Sequence, residues 1–191
     1  MPGRFSVWRR RLTRGLAAGL ALVGLYAGWA YANGNLHTVV EGELYRSATL
    51  KPERLREVIQ SRGIRTIVNL RGHNEHSAWY REETRIAGET DVKLIDLPWS
   101  ASHELTDAQV AAFFAMLADA PRPILIHCRS GADRTGLAAA LYLAAIKKVD
   151  EFTAELQLSP LFGHIGLPFA PFYAMDATFE RLEPSLGYPG S

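Results

Sequence analysis

The chain contains one cysteine, Cys128, and its setting is chemical: His127-Cys128-Arg129-Ser130-Gly131-Ala132-Asp133-Arg134-Thr135-Gly136. A lone cysteine excludes an intrachain disulfide and any multi-cysteine metal cluster, so Cys128 is either a buried thiol or a nucleophile. Its neighbours favour the nucleophile. A loop between a strand and a helix turns several backbone N–H groups toward one point at the positive end of the helix, which makes a cradle for a tetrahedral anion. Residues Arg129, Ser130, Gly131, Ala132, Asp133, Arg134 and Thr135 would line such a cradle, with Gly131 permitting the turn. Nearby cations and a helix N-terminus favour thiolate over thiol, and the thiolate is the reactive form. Arg134 can offer two parallel N–H groups to two oxygens of one phosphoryl group, and Thr135 a hydroxyl to the sulfur as it leaves.

The flanking segments are of the kind that would hold this loop. Ile124-Leu125-Ile126 is a short apolar run, as a central strand covered on both faces would be, and it leads straight into His127 and Cys128. Residues 135–146 are apolar almost all round, which predicts a helix buried in the middle of the domain. Upstream, the periodicity predicts a helix over 52–62 stopped by Gly63 and a strand over 64–70. A surface helix over 75–87 and a strand over 92–97 follow, then a helix opened by a capping box at Thr106 and Gln109. Two further helices are predicted over 151–158 and 169–182, the second with Phe169, Phe172, Tyr173 and Phe179 packed on the core. Alternation of short apolar runs with amphipathic stretches implies an α/β class: a central, mostly parallel sheet flanked by helices, in one catalytic domain over residues 36–191.

His-Cys, five residues, then Arg followed by Thr resembles the signature of the protein tyrosine and dual-specificity phosphatase superfamily, carried here by His127, Cys128, Arg134 and Thr135. Leu44-Tyr45-Arg46-Ser47 and Ile67-Val68-Asn69-Leu70-Arg71 look like strands of its compact bacterial members, so the resemblance covers about residues 42–165. It implies hydrolysis of a phosphomonoester through a phosphocysteine, with no cofactor and with a phosphorylated protein or a phospholipid as substrate. It also implies a proton donor for the leaving group. Asp96, in Asp96-Leu97-Pro98-Trp99, stands about where the superfamily carries that aspartate, but without the usual Trp-Pro-Asp order. Asp133 is favoured over it, because the Asp-Arg-Thr-Gly ending resembles atypical bacterial lipid and tyrosine phosphatases whose loop aspartate is held to be the acid. Those relatives often have lysine where this chain has Ala132, which argues against highly charged phosphoinositides. A rhodanese-like sulfurtransferase and a non-catalytic phosphate-binding module are the competing readings.

Composition sets further bounds. The formal net charge is +1, but five of the 21 basic residues are arginines within residues 1–14, leaving the remainder with 16 basic against 20 acidic residues. A mildly acidic body lacks the basic face a nucleic-acid binder needs. Residues 15–36 carry no charge, and the run 16–32 is about the minimum for crossing a bilayer as a helix. Residues 1–35 are therefore expected to be a membrane anchor or a signal segment. The arginine-rich front predicts the body on the outer, periplasmic side, or exported after cleavage near Ala32. Arg46 and Arg71 are candidates for a basic rim or for surface ion pairs. His73 and His76 lack a third ligand, so no metal site is expected.

Overall fold

The computed structural model describes residues 4–188, with some side chains of the first helix left out. The chain forms two compact units, Met1–Asn33 and Gly34–Ser191. The first holds one helix, α1 (Arg4–Ala32). Among the described residues no helix is long and apolar enough to cross a membrane, so the expected membrane-spanning segment finds no support. The physical reason lies in its composition, since glycines at 19, 24 and 28 together with Tyr26 and Trp29 dilute a run already at the minimum length.

The second unit is built on five strands, β1 (His37–Val40), β2 (Leu44–Ala48), β3 (Thr66–Asn69), β4 (Lys93–Asp96) and β5 (Ile124–Cys128). Their order across the sheet is β1-β2-β5-β3-β4. Only β1 runs antiparallel, on the edge beside β2, while β2, β5, β3 and β4 are mutually parallel. The sheet is thus mixed but mostly parallel. All five residues of β5 are buried, as a central strand demands.

Seven connections and flanks complete the layers: α2 (Pro52–Arg62), α3 (Ala78–Glu89), α4 (Asp107–Asp119), α5 (Asp133–Tyr142), a π-type turn (Leu143–Lys147), α6 (Glu151–Glu155) and α7 (Ala174–Leu186). One apolar cluster fills the α2–α3 face with Leu55, Val58, Ile67, Ile86 and Leu125. A larger one fills the other face, where Phe113 and Leu117 of α4, Leu137 and Leu141 of α5 and Phe179 of α7 meet Leu44, Val68 and Ile126. Helix α2 has its proline at the first turn, and Gly63 adopts φ 62° to donate its backbone N–H back to Ile59, an αL stop that glycine takes without strain. At α4 the Thr106–Gln109 capping box is formed as the sequence predicts.

The C-terminal helix departs from expectation. It begins at Ala174 rather than near Phe169, because Pro171 opens a separate 3₁₀ turn (Pro171–Tyr173). Phe169 and Phe172 are exposed, and of the four aromatics singled out only Phe179 is buried. Proline fixes its own φ and offers no N–H, which ends the helical reading of that stretch upstream of residue 174.

Candidate active site

Cys128 is the last residue of β5 and Asp133 the first of α5, so the loop between them closes over the C-terminal end of the sheet. Cys128 is 1 % exposed, whereas Arg129 and Ser130 are exposed. Two glycines set the loop's shape. Gly131 has φ 73°, and a Cβ there would lie 2.6 Å from the backbone of Ser47 and Ala48 at the end of β2. Gly136 lets α5 approach the chain at Gln157, whose carbonyl oxygen a Cβ would meet at 2.8 Å. Both reasons are steric: backbone packs where a side chain would stand.

The loop carbonyls are held away from the cradle by a residue of β2. Arg46 is 1 % exposed, and its guanidinium donates to Gly131 O at 2.8 Å and Ala132 O at 3.3 Å through Nη2, and to Gln157 O and Oε1 at 2.9 and 2.8 Å through Nη1. Its Cζ lies over the ring of Phe162, 4.1 Å from the ring centre. Neither of the roles expected for it, rim or surface pair, is what it does: it is a buried clamp. Asn35 repeats the tactic, its amide donating to Ser130 O at 3.0 Å and Phe162 O at 2.9 Å. Thr49 donates to Cys128 O at 3.0 Å. The carbonyls of Cys128, Ser130, Gly131 and Ala132 are thus engaged, while the Ala132 N–H reaches Ser130 Oγ at 3.4 Å within the loop. Arg46→Met is expected to cost about 3–5 kcal/mol of stability, since a buried charge and its acceptors lose each other, as chemical denaturation would show.

Arg134 is positioned by two carbonyls from different strand ends. Its Nη1 donates to Leu70 O at 3.1 Å and Trp99 O at 3.2 Å, while Nε is buried and has no protein acceptor. The Nε–Nη2 edge is therefore the one left to meet an anion. Thr135 Oγ1 is likewise buried without a protein partner. Arg71 stacks on Trp79 at 3.5 Å and donates to Thr49 Oγ1 at 3.0 Å. Burial, then repulsion from Arg134 and Arg129, holds its pKa below the ordinary guanidinium value, with Glu83 and Cys128 opposing. Three guanidinium groups thus share the electrostatic neighbourhood of the cysteine.

His127 points to the opposite face of the sheet, where its Nε2 lies 2.9 Å from Glu83 Oε1 of α3, both side chains nearly wholly buried. Asn69 sits beside it in β3, and Asp96 beside Asn69 in β4, so the three align at the C-terminal edge of the sheet. Strand spacing puts the Cα of Asp96 about 10 Å from that of His127. Asn69 donates to Asp96 Oδ1 at 2.7 Å and to Gly72 O, and its Oδ1 receives Arg71 N–H, which fixes the turn that carries Leu70 O to Arg134. Tyr80 O–H lies 2.5 Å from Asp96 Oδ2 and 2.8 Å from His73 Nδ1. Burial, then the neighbouring Asp96, pushes the Tyr80 phenol up to about 12.

Asp133 has a different environment. Its Oδ1 accepts from His164 Nδ1 at 2.8 Å, and the other ring nitrogen of His164 lies 2.8 Å from Asp176 Oδ2 of α7. Burial works to lower the pKa of His164, but the hydrogen bonds to both carboxylates outweigh it and raise it to about 9. A raised histidine pKa contributes stability that is fully present below the unfolded value near 6.5 and is lost as pH rises through about 9. Asn35, Gln157, His164 and Asp176 escaped the sequence reading, and no local pattern marks them.

A profile described as the tyrosine phosphatase family matches residues 26–153. The dual specificity protein phosphatase TpbA of Pseudomonas aeruginosa strain UCBPP-PA14 is 31% identical over 113 residues, which is 58% of this chain and 47% of that protein. The chain spans about half the length of the curated relatives it matches. The crystal structure of P. aeruginosa TpbA superposes with a TM-score of 0.60 at 27% identity, covering 77% of this chain and 84% of that one. A cysteine-to-serine variant of TpbA in complex with phosphotyrosine gives 0.61 at 25% identity, covering 82% and 92%. The profile spans all five strands and the whole of the Cys128 loop, and on that match the chain belongs to the tyrosine phosphatase family.

Proposed function

We propose that this protein is a cysteine-dependent phosphatase that hydrolyses a phosphomonoester of the phosphotyrosine type through a phosphocysteine on Cys128. The observation that carries this reading is the loop itself: its carbonyls are tied outward by Arg46 and Asn35, and Arg134 is held by Leu70 O and Trp99 O with one donor edge left over. Such a cradle binds a dianionic phosphoryl group and stabilises the charge that spreads over its oxygens during transfer. The sulfur attacks phosphorus, the ester oxygen leaves with a proton, and water then cleaves the S–P bond, with Thr135 hydrogen-bonding the departing thiolate. Family membership and the phosphotyrosine complex of TpbA support the substrate class. A lipid phosphomonoester is the second substrate reading. Ala132 is 5 % exposed and packed beside Gly163, so no cation stands there to greet a multiply phosphorylated ring.

We assign the leaving-group proton to Asp96. Asp96 accepts from Tyr80 O–H at 2.5 Å and from Asn69 Nδ2 at 2.7 Å, which hold its carboxyl at the C-terminal edge of the sheet in register with Asn69 and His127. Asp133 is instead engaged by His164 Nδ1 at 2.8 Å, and the other nitrogen of that ring is held by Asp176, so its carboxyl is tied toward α7. Hydrolysis of a series of aryl phosphates separates the two. Asp96→Asn is expected to lower kcat about 100-fold for phenols of high pKa and to remove the basic limb of the pH profile. Asp133→Asn is expected to keep that limb, and the reverse pattern would assign the acid to Asp133. Export of the body to the outer side of the cytoplasmic membrane belongs to the same proposal. It rests on the five arginines ahead of the uncharged run, and fusing residues 1–35 to an export-dependent reporter reads it directly.

A further inference from the structure

The strongest unexplained feature of the molecule is the chain Asp133–His164–Asp176, a buried histidine between two half-buried carboxylates. His164 is 0 % exposed and belongs to neither helix it joins, lying in the irregular stretch between the 3₁₀ turn Pro160–Phe162 and Pro171–Tyr173. Its backbone N–H is fixed on Ser159 O at 3.1 Å. Gly166 packs against the carboxylate of Asp176, where a Cβ would come within 2.7 Å of Oδ1. The histidine is therefore built in from the backbone up, with one carboxylate on each nitrogen.

Two carboxylates can only accept. With both carboxylates ionised each ring nitrogen carries hydrogen, and the two 2.8 Å contacts together with the raised pKa of His164 make the ring an imidazolium at neutral pH. Asp133 lies inside the anion loop, next in sequence to Arg134, where an uncompensated carboxylate would repel the very phosphoryl group that Arg134 attracts. We propose that His164 is a positioning residue that offsets the charge of Asp133 beside the phosphate cradle, and that this offset is a condition of tight anion binding. The inference rests on the phosphatase reading above. The charged groups around the ring are Asp133 on α5 and Asp176 on α7, with Glu155 of α6 and Glu180 of α7 lining the hollow beyond Asp176. All of these are acidic, so nothing in that set replaces the imidazolium if it is lost.

Binding of inorganic phosphate to the full chain carrying Cys128→Ser, which blocks turnover, provides the test as a double-mutant cycle. His164→Gln is expected to weaken phosphate about tenfold when Asp133 is present and by less than twofold when Asp133→Asn is present, because the charge to be offset is then gone. A merely structural histidine would cost the same in both backgrounds, and that result overturns the proposal. Should His164→Gln fail to fold, the His164-intact protein still decides the matter. Its phosphate affinity is expected to fall as pH rises through about 9, where His164 gives up its proton, and to stay flat over that range with Asp133→Asn. Affinity unchanged between about pH 7 and 10 in the presence of Asp133 overturns the proposal. No phosphate binding by any His164-intact protein would sink the phosphatase reading as well, so the two failures are distinguishable.

Discussion

Arg134→Lys is expected to lower kcat/KM for an aryl phosphate by about a thousandfold, with most of the loss in kcat. The reason is geometric rather than a matter of net charge. The arginine already spends Nη1 on Leu70 O and Trp99 O, and still has a second edge for two phosphoryl oxygens. A lysine ammonium has three donors on one atom. If it turns to the two carbonyls it cannot reach two oxygens of the substrate in one plane, and if it turns to the substrate it strands both carbonyls. Because charge on the phosphoryl oxygens is redistributed most in the transition state, the fixed fork matters more there than in the ground state. Steady-state kinetics read the effect, and a loss smaller than tenfold would mean that Arg134 only attracts the substrate and does not hold the transferring group.

Much of this arrangement can be read from the sequence, and the unread part has a common cause. The helix at 52–62, the capping box at Thr106 and the apolar run before Cys128 are local patterns, and each forms where its residues predict. The nucleophile loop is equally local, since strand, glycine turn and buried helix follow one another within about twenty residues. What holds the loop is not local. Arg46 reaches Gln157 across 111 positions and Asn35 reaches Ser130 across 95, and no spacing rule connects such pairs.

Arg46 is instructive because its type pointed the wrong way. An arginine read as following a strand is ordinarily solvated, yet Arg46 is the middle residue of β2, shares a face with Leu44 and turns into the space that Gly136 keeps open. Burial is tolerated because its Nη1 and Nη2 donate to three carbonyls and one amide oxygen. His164 was silent in the sequence for a related reason: its partners lie 31 positions before and 12 after it, and the segment around it has no regular period. The last helix starts later than the aromatic spacing predicts, for the opposite reason. The aromatic spacing over residues 169–179 fits a helix, and one proline at 171 overrides it.

The central claim is that catalysis passes through a covalent phosphocysteine, and rapid acid quench during turnover of an aryl phosphate tests it most directly. The wild-type chain is expected to show a burst of phenol equal to the enzyme present and a single phosphoryl group on the peptide containing Cys128. Cys128→Ser should lack both and lose turnover by on the order of a millionfold. Steady turnover by the Cys128→Ser protein, or a wild-type enzyme that turns over with no phosphoryl group on Cys128 at any quench time, would contradict the account.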